Sequence, residues 1–213
     1  MSLSAARVEA LFLESGALRA GHFALKSGRH GDRYVEKFQV LQFPRAVSEL
    51  CAAFADRVRG PDGRPLVDLV VGPTTGGVIL AFETARQLGL RGIFAEEVKD
   101  ASGAARREFR RGFRVDPGSR VLLVDDILTT GGSLLAMLSP IEAAGAELVL
   151  AAVIVDRSGG ATHVTSPVTG HSYPVEALWS LDLPTYEAGA ATCPGCAAGL
   201  AVEAPGSSGT KAT

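Results

Sequence analysis

The sequence predicts an α/β fold, a central parallel sheet flanked by helices, on three observations. Short apolar runs recur at VDLVVG (67–72), RGIFAEE (91–97), SRVLLV (119–124) and ELVLAAVIVD (147–156). Such runs mark strands buried on both faces. Helical spacing falls between several of them, and alternation of strand and helix is the signature of a parallel sheet. Finally, 46% of the 213 residues are apolar and 21% charged, which supports a large core and is not a disordered composition.

Taken in order, residues 5–15 (AARVEALFLES) set Val8, Leu11 and Phe12 at helical spacing, and Gly16 supplies a stop. A second helix is expected over 44–58. Pro44 suits its first turn, and Val47, Leu50, Cys51, Phe54 and Val58 share one face. The strand at 67–72 ends in glycine and leads to a helix over 76–88, then to the strand at 91–97. Residues 98–118 lose this regularity, with Gly103, Gly112, Pro117 and Gly118 among many charges. So long an irregular segment is commonly functional. The strand at 119–124 precedes a helix over 132–144, with Pro140 as a candidate kink. We expect one domain over 1–203 and a flexible tail over 204–213 (APGSSGTKAT), which has no apolar content to pack.

The net charge of −2 gives no reason to expect nucleic-acid or membrane-surface binding. No run of about 18 apolar residues offers a membrane span. The N-terminal MSLSAARVEALFLES lacks the basic region and apolar core of a signal peptide, so the expected location is cytoplasmic. Three cysteines, Cys51, Cys193 and Cys196, do not describe a disulfide framework. Cys193 and Cys196 form a CPGC without a second CxxC. A zinc site there would need His163 and His171 brought close, since structural zinc takes four ligands. The favoured reading of CPGC is a tight turn.

The stretch VLLVDDILTTGGS (121–133) carries the most chemistry. In open parallel sheets ligands bind beyond the carboxyl ends of the strands, where Asp125 and Asp126 are expected. Thr129, Thr130, Gly131, Gly132 and Ser133 follow, small and rich in donors. Their amides and hydroxyls at a helix N-terminus make a cradle for one phosphate. Two carboxylates cannot share that phosphate. They must face sugar hydroxyls, a metal ion, or both, as a ribose 5-phosphate moiety would provide. No GxxxxGK[ST] occurs, and the acids precede the loop, which is the wrong order for a dinucleotide GxGxxG.

On these residues the stretch resembles the phosphoribosyl-pyrophosphate (PRPP) signature of the type I phosphoribosyltransferases. The resemblance implies the fold of that family: a central parallel sheet flanked by helices, a mobile catalytic loop, and a small hood drawn largely from about residues 1–40 and C-terminal residues. It implies that Asp125 and Asp126 hold the ribose hydroxyls as catalytic residues. Ile127, Leu128, Thr129, Thr130, Gly131, Gly132 and Ser133 would complete the PRPP site. Mg²⁺ would arrive with PRPP, near Asp125 and Asp126. VVGPTTGGVILA (70–81) resembles the family's pyrophosphate-binding loop, so Thr75 and Gly76 are also PRPP contacts. Many orotate enzymes carry a lysine where this chain has Gly76.

Other segments choose the acceptor. GHFALKSGRH (21–30) resembles the hood segment of orotate phosphoribosyltransferases, which implies that Lys26 contacts PRPP and that Tyr34 and Val35 contact the base. That pair is usually aromatic, and Val35 departs from it. IVDRSGG (154–160) makes Arg157, with Thr129, an orotate contact by the same resemblance. A guanidinium fork matches the orotate carboxylate, which a purine lacks. Residues 99–114 carry Lys99, Arg106, Arg107, Arg110, Arg111 and Arg114 against Asp100 and Glu108, a local balance of +4. This suits a lid over leaving pyrophosphate. Lys99 is the first candidate for its catalytic lysine, although FAEEVK has acids where better-known members have adjacent bases. The family often supplies this loop across an interface, which implies a homodimer. The implied activity is transfer of the phosphoribosyl group from PRPP to orotate. The alternatives are another type I member using a purine or pyrimidine salvage base, and a non-catalytic PRPP-sensing regulator. A regulator would need a DNA-binding module, for which the first 20 residues are too few.

Overall fold

The computed structural model describes residues 3–25, 27–99 and 103–205. Helix α1 (Ala5–Glu14) leads into a hairpin of β1 (Leu18–Ala24) and β2 (His30–Val35), then helices α2 (Lys37–Leu41) and α3 (Pro44–Arg57). Next come β3 (Leu69–Pro73), α4 (Gly76–Leu88), β4 (Arg91–Lys99), β5 (Ala105–Phe109), β6 (Arg120–Leu128), α5 (Gly132–Ala143) and β7 (Glu147–Asp156). The chain continues through β8 (His163–Thr165), β9 (Ser172–Ser180), β10 (Thr185–Tyr186) and α6 (Pro194–Ala197).

Seven strands form the main sheet in the order β5-β4-β3-β6-β7-β9-β8. The pairs β4–β3, β3–β6, β6–β7 and β7–β9 are parallel, and both edge strands run antiparallel. Alternate residues of β6 enter opposite cores, as the strand pleat requires. Leu122 and Val124 pack with Leu50 and Phe54 of α3 and Leu80 of α4. Val121 and Leu123 pack with Leu134, Met137, Leu138 and Ile141 of α5. Each such fully buried leucine contributes about 1.5–3 kcal/mol of transfer free energy. This double burial makes β6 the rigid support of whatever its end carries. A smaller sheet, β1-β2-β10, stands apart from the main one. The C-terminal segment joins it where Phe23 bridges Glu203.

The helix starts and stops follow their local chemistry. Ser4 caps α1 by accepting from the Arg7 amide, and Pro44 opens α3. Gly89, at φ +69°, closes α4 in a conformation that costs a side chain steric strain. Helix α5 runs through Pro140 to Ala143, close to the expected span.

Three expectations change. Strand β6 does not stop at Val124; it runs to Leu128, with Asp125 paired to Val153 and Leu128 to Asp156. Asp is depleted in strands, but here the ladder and the groups around the carboxylates override that preference. The basic segment is not wholly irregular either, since Ala105–Phe109 pairs with β4. Acid–base contacts support that pairing, with Arg107 3.8 Å from Glu97 and Arg111 2.7 Å from Glu96. Strands β8 to β10 were not anticipated; Pro174 argues against a strand at 172–180, yet it pairs with a β8 only three residues long. Lys26 and most of the expected tail (206–213) lie outside the described residues. Among those residues no helix is long and apolar enough to cross a membrane.

Candidate active site

The carboxyl ends of β3, β6 and β7 lie side by side, and each feeds a loop with chemistry. Strand β6 delivers Asp125 and Asp126, only 6% and 4% exposed. Buried carboxylates need partners. The Asp126 amide donates to Asp125 Oδ1 at 2.8 Å, and the Ile127 amide donates to Asp126 Oδ1 at 2.8 Å. Lys37, at the start of α2, places Nζ 2.8 Å from Asp126 Oδ1 and 2.7 Å from Oδ2. The second contact is ionic without hydrogen-bond alignment, so Oδ2 keeps a lone pair with no donor among the described residues. Burial, and then the charge of Asp126, pushes the Asp125 carboxyl from its ordinary 3.8 up to about 6, against a hydrogen bond from Ser133.

Beyond Leu128 the chain loses bulk. Thr129 and Thr130 are exposed, Gly131 stands at φ +78°, and Gly132 opens α5. Free amides at the start of this helix point outward, where the dipole favours an anion. Across from Gly132 and Ser133, Arg106 and Arg107 of β5 help line a cavity of about 370 Å³. Arg107 is the inward cation of the basic segment. Its side chain is 13% exposed, and Nη1 donates to Thr74 Oγ1 at 2.8 Å. Arg106 pairs with Glu108 instead. Lys99, the expected catalytic lysine, lies exposed at the end of β4, opposite Ala105. Arg107 therefore reaches toward the loops from within this chain, and Lys99 stands at the end of the hairpin where β4 passes over to β5.

The loop after β3 is compressed. A Cβ on Gly72 would lie 2.2 Å from the Gly77 carbonyl oxygen, and one on Gly77 2.5 Å from Pro73. The peptide between Thr74 and Thr75 is cis. A Cβ on Gly76 would fall 2.0 Å from Asp126 Oδ2. That contact explains the departure at this position, because the backbone here fits against the carboxylate with no room for a side chain. Lys37 brings an ammonium to the same carboxylate from another element. Sequence reasoning did not single out Lys37 or Arg107. The available signal for Lys37 was its place three residues after Tyr34, at the junction between the small sheet and α2.

Arg157 follows the end of β7, and its amide donates to the Leu128 carbonyl at 2.7 Å, which sets it beside Thr129. Asp156 fixes the turn by accepting from the Ser158 amide and hydroxyl at 2.7 and 2.6 Å and from the Gly160 amide at 3.1 Å. The Arg157 Nε is buried with no hydrogen-bond partner among the described residues. Tyr34 faces this region. Burial raises its phenol pKa, while the positive charges of Arg19, Arg157 and Lys37 oppose the rise. Val35, expected beside it on the base, instead packs in the core at 9% exposure. The strand period of two sends the neighbours to opposite faces, so Tyr34 and Val35 cannot both face one ligand.

The chain matches the phosphoribosyl transferase domain over residues 39–183. It is 38% identical over 200 residues to the orotate phosphoribosyltransferase of Pelotomaculum thermopropionicum, covering 94% of this chain and 96% of that one. It is 40% identical over 208 residues to the orotate phosphoribosyltransferase of Acidithiobacillus ferrooxidans, covering 97% and 99%. In fold it resembles orotate phosphoribosyltransferase from Aeropyrum pernix, with TM-score 0.62, 24% identity, and coverage of 82% of this chain and 93% of that one. It also resembles adenine phosphoribosyltransferase from Saccharomyces cerevisiae, with TM-score 0.61, 20% identity, and coverage of 80% and 97%. The fold alone does not choose the base, whereas the sequence relatives match almost end to end. The chain belongs to the orotate phosphoribosyltransferase family of phosphoribosyltransferases.

Proposed function

We propose that the chain transfers the 5-phosphoribosyl group of PRPP to orotate, giving orotidine 5′-monophosphate and pyrophosphate in pyrimidine synthesis. The observation that carries this reading is Arg157. Its backbone is pinned next to Thr129 on the sheet edge that holds Asp125, Asp126 and the phosphate loop, and its buried Nε has no hydrogen-bond partner among the described residues. A carboxylate-bearing base supplies what that guanidinium lacks.

In the reaction the ribose C1–O bond breaks and its electron pair leaves on pyrophosphate. A ring nitrogen of orotate supplies the pair for the new C1–N bond, and its proton passes to pyrophosphate or water. Asp125 and Asp126 take the ribose hydroxyls and lower the energy of the cationic sugar. Residues 127–133 hold the 5′-phosphate, the loop with Thr75 and Gly76 faces pyrophosphate, and Arg107 offsets its charge. Tyr34, Thr129 and Arg157 position orotate. Lys26 is assigned to PRPP by its sequence context alone. The oxygen donors of Asp125 and Asp126, one lone pair of Asp126 having no donor among the described residues, fit a hard divalent cation. Mg²⁺ bound there with PRPP would neutralise charge on the pyrophosphate.

The active species is proposed to be a homodimer. Phe38, Phe43, Ile79 and Phe82 are exposed by 41%, 47%, 37% and 68%. Ile79 and Phe82 line one apolar groove with Leu41, Pro44, Val47 and Val78, a face that a second copy would cover. Lys99, exposed at its hairpin end, is proposed to act on the second copy's site.

The direct test mixes the protein with PRPP, Mg²⁺ and orotate and follows loss of orotate absorbance, with adenine, hypoxanthine and uracil as controls. Orotate consumption alone is expected. Turnover of a control base without orotate consumption would overturn the assignment.

A further inference from the structure

His22 of β1, His30 of β2, Cys193 and Cys196 bring their ligating atoms within 4.8 Å of one another. His163 and His171, the histidines expected to join the cysteines, do not belong to this cluster. We propose that His22, His30, Cys193 and Cys196 form a structural zinc site that ties the β1–β2 hairpin to the C-terminal segment.

The geometry is that of a closed tetrahedral site. An ion about 2.0–2.1 Å from two nitrogens and about 2.3 Å from two sulfurs sets N···S edges near 3.6 Å. The observed edges are 3.4 Å for Cys193 to His22 Nε2, 3.6 Å for Cys196 to His22 Nε2, and 3.3 Å for Cys196 to His30 Nδ1. The two ring nitrogens are 2.8 Å apart and would separate by about half an ångström around an ion. His22 is already oriented as a ligand. Its Nδ1 lies 2.9 Å from the Leu200 carbonyl, which can only accept, so Nδ1 bears the proton and Nε2 presents its lone pair to the cluster.

The CPGC turn is shaped to fit this ring. A Cβ on Gly195 would sit 2.5 Å from His22 Cγ, so only glycine allows the turn to close on it. Cys193 and His22 are 2% and 3% exposed, and both cysteines are free thiols. None of the four groups is used by the proposed reaction. What they share is a position. Glu203 donates its amide to the His22 carbonyl and accepts from the Ala24 amide, both at 2.8 Å, so the segment after the cysteines already lies along β1. An ion would fasten that junction through side chains as well as backbone.

The experiment uses the full chain, purified under reducing conditions and equilibrated with zinc before gel filtration. About one zinc per chain is expected, with an X-ray absorption shell of two sulfurs and two nitrogens. Co²⁺ should replace it with the visible spectrum of a tetrahedral thiolate site. Cys196→Ser should weaken zinc binding by at least about tenfold, the loss brought even by an outer partner of a ligand, whereas His163→Ala should leave it unchanged. Chelation should lower the thermal midpoint of the wild-type protein and not that of a folded Cys196→Ser variant. Less than about a tenth of an equivalent of zinc in the wild type, a shell without sulfur, or a Cys193–Cys196 disulfide in the reduced preparation would each overturn the site. The wild-type metal count and absorption shell decide the matter even if the variant does not fold.

Discussion

Lys37 Nζ lies 2.8 Å from one carboxylate oxygen of Asp126 and 2.7 Å from the other, across 89 residues of sequence. The lysine side chain is 35% exposed and the aspartate 6%. A partly wet cation thus compensates a nearly dry anion, which lets β6 keep two adjacent aspartates inside its ladder. It also brings α2, next to the small sheet, into contact with the ligand edge of the large one.

Replacing Lys37 with Met should leave Asp126 buried without its cation. The expected cost is about 1–3 kcal/mol of folding stability, the range for leaving a buried polar group without its partner. PRPP binding should weaken too, because the freed carboxylate would lie beside the proposed pyrophosphate loop. Denaturant unfolding and titration calorimetry with PRPP read the two effects separately. Unchanged stability would show that the ion pair contributes nothing net, as many exposed pairs do.

Gly76 tests the same carboxylate from the other side. Because a Cβ there would meet Asp126 Oδ2 at 2.0 Å, Gly76→Ala must displace the aspartate or the loop. Overpacking of this kind costs about 1–3 kcal/mol. At least a tenfold loss of kcat/KM for PRPP is expected, with a smaller effect on orotate. Gly76→Lys should not restore activity, since the obstruction begins at the first side-chain atom. Wild-type kinetics in Gly76→Ala would mean that the loop accommodates the methyl group freely.

What could be read in the sequence divides along physical lines. The β7 run and the α4 segment were legible because both faces, or one continuous stripe, must be apolar there. VLLVDDILTTGGS was legible because acids next to a donor-rich turn have few structural uses. Lys37 was not, because a lysine at the start of a short helix looks the same whether it meets water or Asp126. Val35 was misplaced because resemblance gives a position but not a face, and a strand turns successive side chains to opposite sides. The four-group cluster of His22, His30, Cys193 and Cys196 was hidden for a similar reason. Its two halves are more than 160 residues apart, and only the path of the C-terminal segment along β1 joins them.

Asp125 should give the unliganded protein an unusual pH dependence. Its folded carboxyl titrates at about 6 against an ordinary 3.8, so the folded state binds the proton more tightly than the unfolded chain. The sign follows: this group favours folding below the ordinary value, and that contribution is lost as pH rises through about 6. Asp125→Asn removes the charge that causes the loss. Above about pH 6 the variant should be more stable than wild type by about 1–3 kcal/mol, with the gap closing as pH falls, while PRPP binding is greatly weakened. Denaturant unfolding on both sides of that pH checks it. A variant less stable at every pH would show that the ionised pair is fully compensated.

The exposed face of α4 makes a separate prediction. Phe82 is 68% exposed, so Phe82→Glu should leave the fold of a single chain intact. If a second copy covers this face, the charge should weaken association by roughly 30-fold or more, a loss of about 2 kcal/mol typical of a central interface residue. Analytical ultracentrifugation of the wild type and variant measures this. A dimer of unaltered affinity would place the interface elsewhere.

Arg157 separates the two substrates. Its backbone amide bonds the Leu128 carbonyl next to Thr129, past the end of the strand beside the one that carries the aspartates. Arg157→Ala should therefore weaken orotate binding by about 1.5–3 kcal/mol, roughly 10- to 150-fold, and leave PRPP binding nearly unchanged. Arg157→Lys keeps the charge and loses the planar fork, so it should recover only part of the orotate affinity. Full recovery by lysine would mean that charge, rather than paired hydrogen bonds, holds the carboxylate. An equal loss for orotate and PRPP in Arg157→Ala would move Arg157 from the base subsite to the shared phosphoribosyl site, and the argument for orotate from this residue would fail.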